Sequence, residues 1–73
     1  MLNYWKGDES MNPIRMYREK SGMTQEKLGE LLGVTRATVA QWERNENIPR
    51  ARTLMKLSKI FHCSIEDLLR LET

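Results

Sequence analysis

The amino-acid sequence predicts an all-α fold of five short helices. Three observations carry this expectation. Apolar residues recur at i, i+3 and i+4; residues that start and stop helices punctuate the chain at matching intervals; and no two segments show the alternation of half-buried strands.

Asn12 followed by Pro13 reads as an N-cap with proline at the first helical position, and Gly22 closes that helix. Thr24 caps a second helix, whose Leu28, Leu31 and Leu32 form an apolar stripe. Gly33 ends it, because glycine enters the left-handed turn without the penalty a side chain brings. Thr35 caps a third helix with Val39 and Trp42 as its apolar positions, and the polar stretch from Arg44 to Pro49 then breaks the pattern. Leu54, Leu57, Ile60 and Phe61 define a fourth helix. Ser64 and Asp67 have the spacing of a capping box, which opens a last helix with Ile65, Leu68 and Leu69 inward. Residues 1–11 show no helical period and are expected to form a flexible tail, even with Tyr4 and Trp5 among them. The expected domain is 12–71, with 72–73 as its end.

Seventy-three residues suffice for one domain. A chain of this length buries only roughly 60% of its unfolded surface, which leaves little core to give up to a substrate cleft. The serines lack histidine–carboxylate partners and no glycine-rich phosphate loop is present, so no enzymatic activity is expected. The single cysteine, Cys63, excludes an internal disulfide and a multi-cysteine zinc site; His62 beside it makes two ligands, too few for a metal. No cofactor or small-molecule ligand is expected. The chain has neither the run of roughly 20 apolar residues that a membrane span needs nor the apolar core of a signal peptide. The expected location is the cytoplasm, with no membrane partner.

The net charge of +2 conceals an asymmetry. From Arg36 to Lys59 there are six basic residues against Glu43 and Glu46, a balance of +4; the remainder, six basic and eight acidic, balances at −2. A polyanion is drawn to the middle of such a chain. The third helix is the part equipped to receive it. At 100° per residue, Val39 and Trp42 point one way, while Arg36, Ala37, Ala40, Gln41 and Arg44 occupy the opposite arc. The small residues let the helix sink into the DNA major groove, about 12 Å wide; arginine can donate twice to guanine, and glutamine can donate to and accept from adenine.

The stretch Met23-Thr-Gln-Glu-Lys-Leu-Gly-Glu-Leu-Leu-Gly-Val-Thr-Arg-Ala-Thr-Val-Ala-Gln-Trp-Glu-Arg-Asn resembles the Cro/repressor-like helix-turn-helix proteins of lambdoid phages and their bacterial relatives. Gln25 at the start of the first motif helix, a small residue at Gly29, the turn at Gly33 and apolar Val39 and Trp42 match that pattern. Ile48-Pro49 and the closing Ser64-Ile65-Glu66-Asp67-Leu68-Leu69 match it too. The resemblance implies a compact lambda-repressor-like domain with its helix-turn-helix at helices 2 and 3, and a transcriptional regulator, a repressor, that binds double-stranded DNA. It implies that Arg36, Ala37 and Gln41 face bases. It puts Thr38 and Arg44 nearer the DNA backbone, and has Gln25 touch a phosphate and brace Arg36. Arg50 and Arg52 would serve a second phosphate stretch at the fourth helix's N-terminus, whose dipole favours anions in any case.

The resemblance further implies a partly buried Arg18–Glu43 salt bridge. One such domain makes too few base contacts for tight specific binding, so a homodimer on a palindromic operator with half-sites about 34–36 Å apart is expected. Leu69 and Leu71 would stand at the dimer interface. Gly29 replaces the usual alanine, and Asn45 and Glu46 replace glycine and lysine, so Glu46 is expected to face DNA poorly. His62 stands in a glycine position and Cys63 in a valine position. The alternative is an antitoxin or adaptor module bound chiefly to another protein. Acidic or bulky apolar residues on the third helix's outer arc would favour that reading; Arg36, Gln41 and Arg44 favour DNA.

Overall fold

A computed structural model describes residues 12–69, so Tyr4, Trp5, the tail to Met11, and Leu71 lie outside the described residues. Five helices follow one another: α1 (Pro13–Lys20), α2 (Gln25–Leu32), α3 (Arg36–Glu43), α4 (Ala51–Phe61) and α5 (Ile65–Leu68). No strand occurs among the described residues. No described helix is long and apolar enough to cross a membrane.

The helix starts are local chemistry. Asn12 accepts hydrogen bonds from the amides of Ile14 and Arg15, with Pro13 opening the helix behind it. Thr24 and Thr35 cap α2 and α3 through their hydroxyls, and the Ser64–Asp67 capping box is complete. Each such cap is worth about 1 kcal/mol, which matters in helices of eight residues or fewer.

The helix ends repeat one pattern. The chain leaves α1, α2, α3 and α4 through a left-handed residue, respectively Gly22, Gly33, Asn45 and His62. The amide after each turns back to a carbonyl one turn inside: Met23 to Arg18, Val34 to Gly29, Glu46 to Gln41 and Cys63 to Ser58, at 2.9–3.1 Å. This is the Schellman arrangement, and it satisfies carbonyls that a helix end otherwise leaves open.

The core gathers Leu28 and Leu32 of α2, Val39 and Trp42 of α3, and Leu54, Leu57 and Phe61 of α4, closed by Ile14 and Leu68. Tyr17 stacks on Phe61 with ring centroids 5.6 Å apart. Trp42 is thus a core residue. Three expected core residues are not. Leu31 is 48% exposed, because Leu28, Leu32 and Gly29 take the inward arc of α2 and place Leu31 roughly 100° from its centre. Ile65 and Leu69 are 36% and 39% exposed. One turn of helix packed by its edge on α4 and α1 sends a single side chain, Leu68, into the core. Ile60 and Cys63 are half-buried against it, and Met55 is exposed. Burial raises the Cys63 thiol above its ordinary pKa, with Asp67 adding to the effect and a Tyr17 hydrogen bond opposing it.

Candidate nucleic-acid interface

The geometry of the interface begins at Gly29. A β-carbon there would meet the carbonyl oxygen of Val34 at 2.7 Å, closer than real β-carbons come. Glycine at this point lets the turn fold tightly over the end of α2. Gly33 (φ 76°) reverses the chain, half-buried Val34 packs on the core, and the Thr35 cap launches α3.

Val39 and Trp42 hold the inner side of α3. Its outer side carries Arg36 and Ala37, both exposed, then Ala40 and Gln41, half-buried, and exposed Arg44. Thr38 is half-buried near the cap; its hydroxyl lies 3.0 Å from that of Thr35. Arg50, Arg52 and Arg36 make no ion pair among the described residues. Arg50 is also the N-cap of α4 and makes no side-chain cap bond, so the first amides of that helix have no side-chain acceptor.

The far end of α3 is tied down by a polar network. Arg18 donates from Nε to Glu43 Oε2 at 2.6 Å and from Nη2 to Oε1 at 3.1 Å. Its Nη1 reaches the Met23 carbonyl at 2.7 Å. The two side chains are only 11% and 5% exposed, so the structure brings this pair together inside the protein. Gln25 completes the network by donating from Nε2 to Glu43 Oε1 at 3.1 Å. No hydrogen bond between Gln25 and Arg36 is present among the described residues; the Gln25 amide nitrogen is directed to Glu43 instead. The buried carboxylate has lone pairs to fill and takes the Gln25 amino group, while Gln25 Oε1 is the atom that could accept from an arginine. The second Nε2 hydrogen of Gln25 remains available.

Two further contacts had no signal in the sequence. Asn12, besides capping α1, donates from Nδ2 to the Trp42 carbonyl and to Asn45 Oδ1, both at 2.8 Å. The segment after Asn45 then folds back along α3. Asn47 Nδ2 donates to Gln41 Oε1 at 3.2 Å, and Arg44 makes a two-pronged pair with Glu46 at 2.7 and 3.1 Å. Hydrogen bonding by Arg44 holds the Glu46 carboxyl below its ordinary pKa, and Glu46 raises that of Arg44. Arg44, expected near a phosphate, is thus occupied by a carboxylate of its own loop.

A family model for the helix-turn-helix matches residues 14–68, from the first turn of α1 to the end of α5. The chain belongs to the helix-turn-helix family. Within that family it is 41% identical over 61 residues to YgzD, an uncharacterized HTH-type transcriptional regulator of Bacillus subtilis (strain 168), covering 84% of this chain and 92% of that one. It is 40% identical over 57 residues to repressor protein C2 of Salmonella phage P22, covering 78% of this chain and 26% of the repressor. The chain therefore spans about a quarter of the P22 repressor's length. Among solved structures, the P22 c2 repressor in complex with synthetic operator 9T superposes with a TM-score of 0.74 at 35% identity, covering 93% of this chain and 97% of that one. The P22 repressor is of the type that the Met23–Asn45 stretch resembles.

Proposed function

We propose that this protein binds double-stranded DNA sequence-specifically as a transcriptional regulator, acting as a repressor, with α3 in the major groove. The observation that carries the reading is the two-sidedness of α3. Its inner side is locked by Val39, Trp42 and the Arg18–Glu43–Gln25 network, while its outer side offers Arg36 and Ala37 free to solvent. Arg36, Ala37 and Gln41 read base edges, Ala37 through its methyl group. Gln25, Thr38, Arg50 and Arg52 contact the DNA backbone, helped by the uncapped amides of α4. Arg44 joins them when it exchanges Glu46 for a phosphate.

A single reading helix makes few base contacts, so the protein acts as a homodimer on a palindromic operator. Exposed Ile65 and Leu69 are the apolar residues nearest the end of the described chain and suit that pairing. The reading involves no enzymatic step and places the protein in the cytoplasm with its DNA.

Selection from random duplexes returns the operator, and affinities at several salt concentrations then separate the roles. Arg36→Ala or Gln41→Ala is expected to lose about 1–3 kcal/mol on the operator and to relax the choice of base at one position. Arg50→Ala or Arg52→Ala is expected to weaken binding to every duplex alike and to lower the salt slope by about one. An Arg36→Ala variant that weakened all duplexes equally would remove α3 from the groove. Footprints showing paired half-sites check the dimer.

A further inference from the structure

The loop after α3 does more than lead to α4. Asn45, in the left-handed conformation at φ 62°, turns the chain back so that the Glu46 amide bonds the Gln41 carbonyl at 2.9 Å. Asn12 pins that turn from α1 through Asn45 Oδ1. The reversal sets Asn47 beside Gln41, where its Nδ2 occupies Gln41 Oε1 at 3.2 Å. The Gln41 side chain is thereby held before any DNA arrives: its Oε1 accepts from the loop, and its amide nitrogen has no partner among the described residues.

We infer that Asn47 is a specificity-determining positioning residue, which makes Gln41 a hydrogen-bond donor toward the bases. The inference rests on the reading that Gln41 faces the major groove. A free glutamine pairs best with adenine, accepting from N6 and donating to N7. The oxygen keeps a second lone pair, so Asn47 does not silence it; the bond holds Oε1 on the loop side and favours the amino group as the part of Gln41 offered to the bases. That group suits guanine, which presents acceptors alone, N7 and O6, on that edge. The consequence is a preference for guanine over adenine at the position Gln41 reads, set by a residue that itself need not touch DNA.

The test measures the guanine-to-adenine affinity ratio at the operator position whose selectivity is lost in Gln41→Ala. The full chain is used, and melting curves confirm that the exposed-loop variants fold. The ratio is expected to favour guanine in the natural protein. It is expected to fall by about fivefold or more in Asn47→Ala, where Oε1 is released to accept from adenine. Asn47→Asp is expected to lower the ratio as well, because a carboxylate can only accept and must draw the Gln41 amino group to itself. Its added negative charge weakens binding to all duplexes and cancels in the ratio. A ratio unchanged in both Asn47 variants, or a natural preference for adenine, would overturn the inference while leaving Gln41 a base reader. A Gln41→Ala variant with unaltered base preference would instead overturn the assignment of Gln41 to bases, and this inference with it.

Discussion

The chain enters and leaves α3 through turns with the same hydrogen-bond pattern, yet the two turns differ in what they are made of. At the entrance, Gly29 permits a close backbone approach, Gly33 supplies the left-handed turn, and Val34 packs inward on the core. Nothing polar from that turn reaches the outer side of α3 beyond the Thr35 cap and Thr38. At the exit, the left-handed residue is Asn45, held by the Asn12 side chain, and the following residues fold back onto Arg44 and Gln41. The entrance sets where α3 points, through packing and sterics. The exit sets what its outer face can offer, through exchangeable polar contacts at the surface. Orientation and reading chemistry are therefore built from different kinds of interaction, and substitutions should separate them.

The largest expected effect lies beneath both turns. Arg18→Ala or Glu43→Ala leaves one charge of a buried, hydrogen-bonded pair without its partner, and is expected to cost about 3–5 kcal/mol in unfolding free energy. Denaturant titration measures it, and unchanged stability in either variant would remove the network from the account of how α3 is held.

Next comes the entrance. Helix propensity alone would make Gly29→Ala a gain of about 1 kcal/mol. The 2.7 Å approach of the Val34 carbonyl reverses the sign, since backbone cannot move aside cheaply. Gly29→Ala is expected to destabilise by about 1–2 kcal/mol net, the lower part of the usual range for overpacking. A higher melting temperature would show that the turn yields.

The exit is probed without touching the fold. At neutral pH Glu46 is ionised, as a free glutamate would be, and bound to Arg44; the arginine holds its carboxyl below the ordinary range, so protonation needs more acid conditions than usual. Glu46→Gln releases Arg44 at any pH. Affinity for all duplexes is expected to rise, with the salt slope steeper by about one. An unchanged slope would mean that Arg44 stays away from phosphate even when free.

The smallest effect serves as a control. His62 makes the same left-handed turn as Asn45 (φ 55° against 62°), with no polar contact comparable to the Asn12 bond. His62→Gly should stabilise by up to about 1 kcal/mol, since glycine relieves the strain of that conformation. Asn45→Gly should gain less or lose, because it also gives up the bond to Asn12. Equal gains at both sites would show that the Asn12 bond contributes nothing.

What the sequence determined by itself is local or periodic. Caps at Asn12, Thr24, Thr35 and Ser64 act on amides two or three residues away, and the left-handed turns at Gly22 and Gly33 follow from backbone sterics. Both can be read without knowing the rest of the chain. The two arcs of α3 were legible for the same reason, since a fixed 100° per residue separates Val39 and Trp42 from Arg36 and Gln41. The resemblance supplied the Arg18–Glu43 pairing, which joins residues 25 apart and has no local signal. Only the tertiary structure decided the remainder. Leu31, Ile65 and Leu69 have apolar spacing, but whether a neighbour covers them depends on how helices cross. Gln25 bonding Glu43, Asn12 reaching Asn45 thirty-three residues away, and Asn47 lying against Gln41 depend on where separate elements come to rest. Periodicity records which side of an element is apolar, whereas a polar contact between elements requires two side chains to meet within about 3 Å. That coincidence is a property of the packed fold.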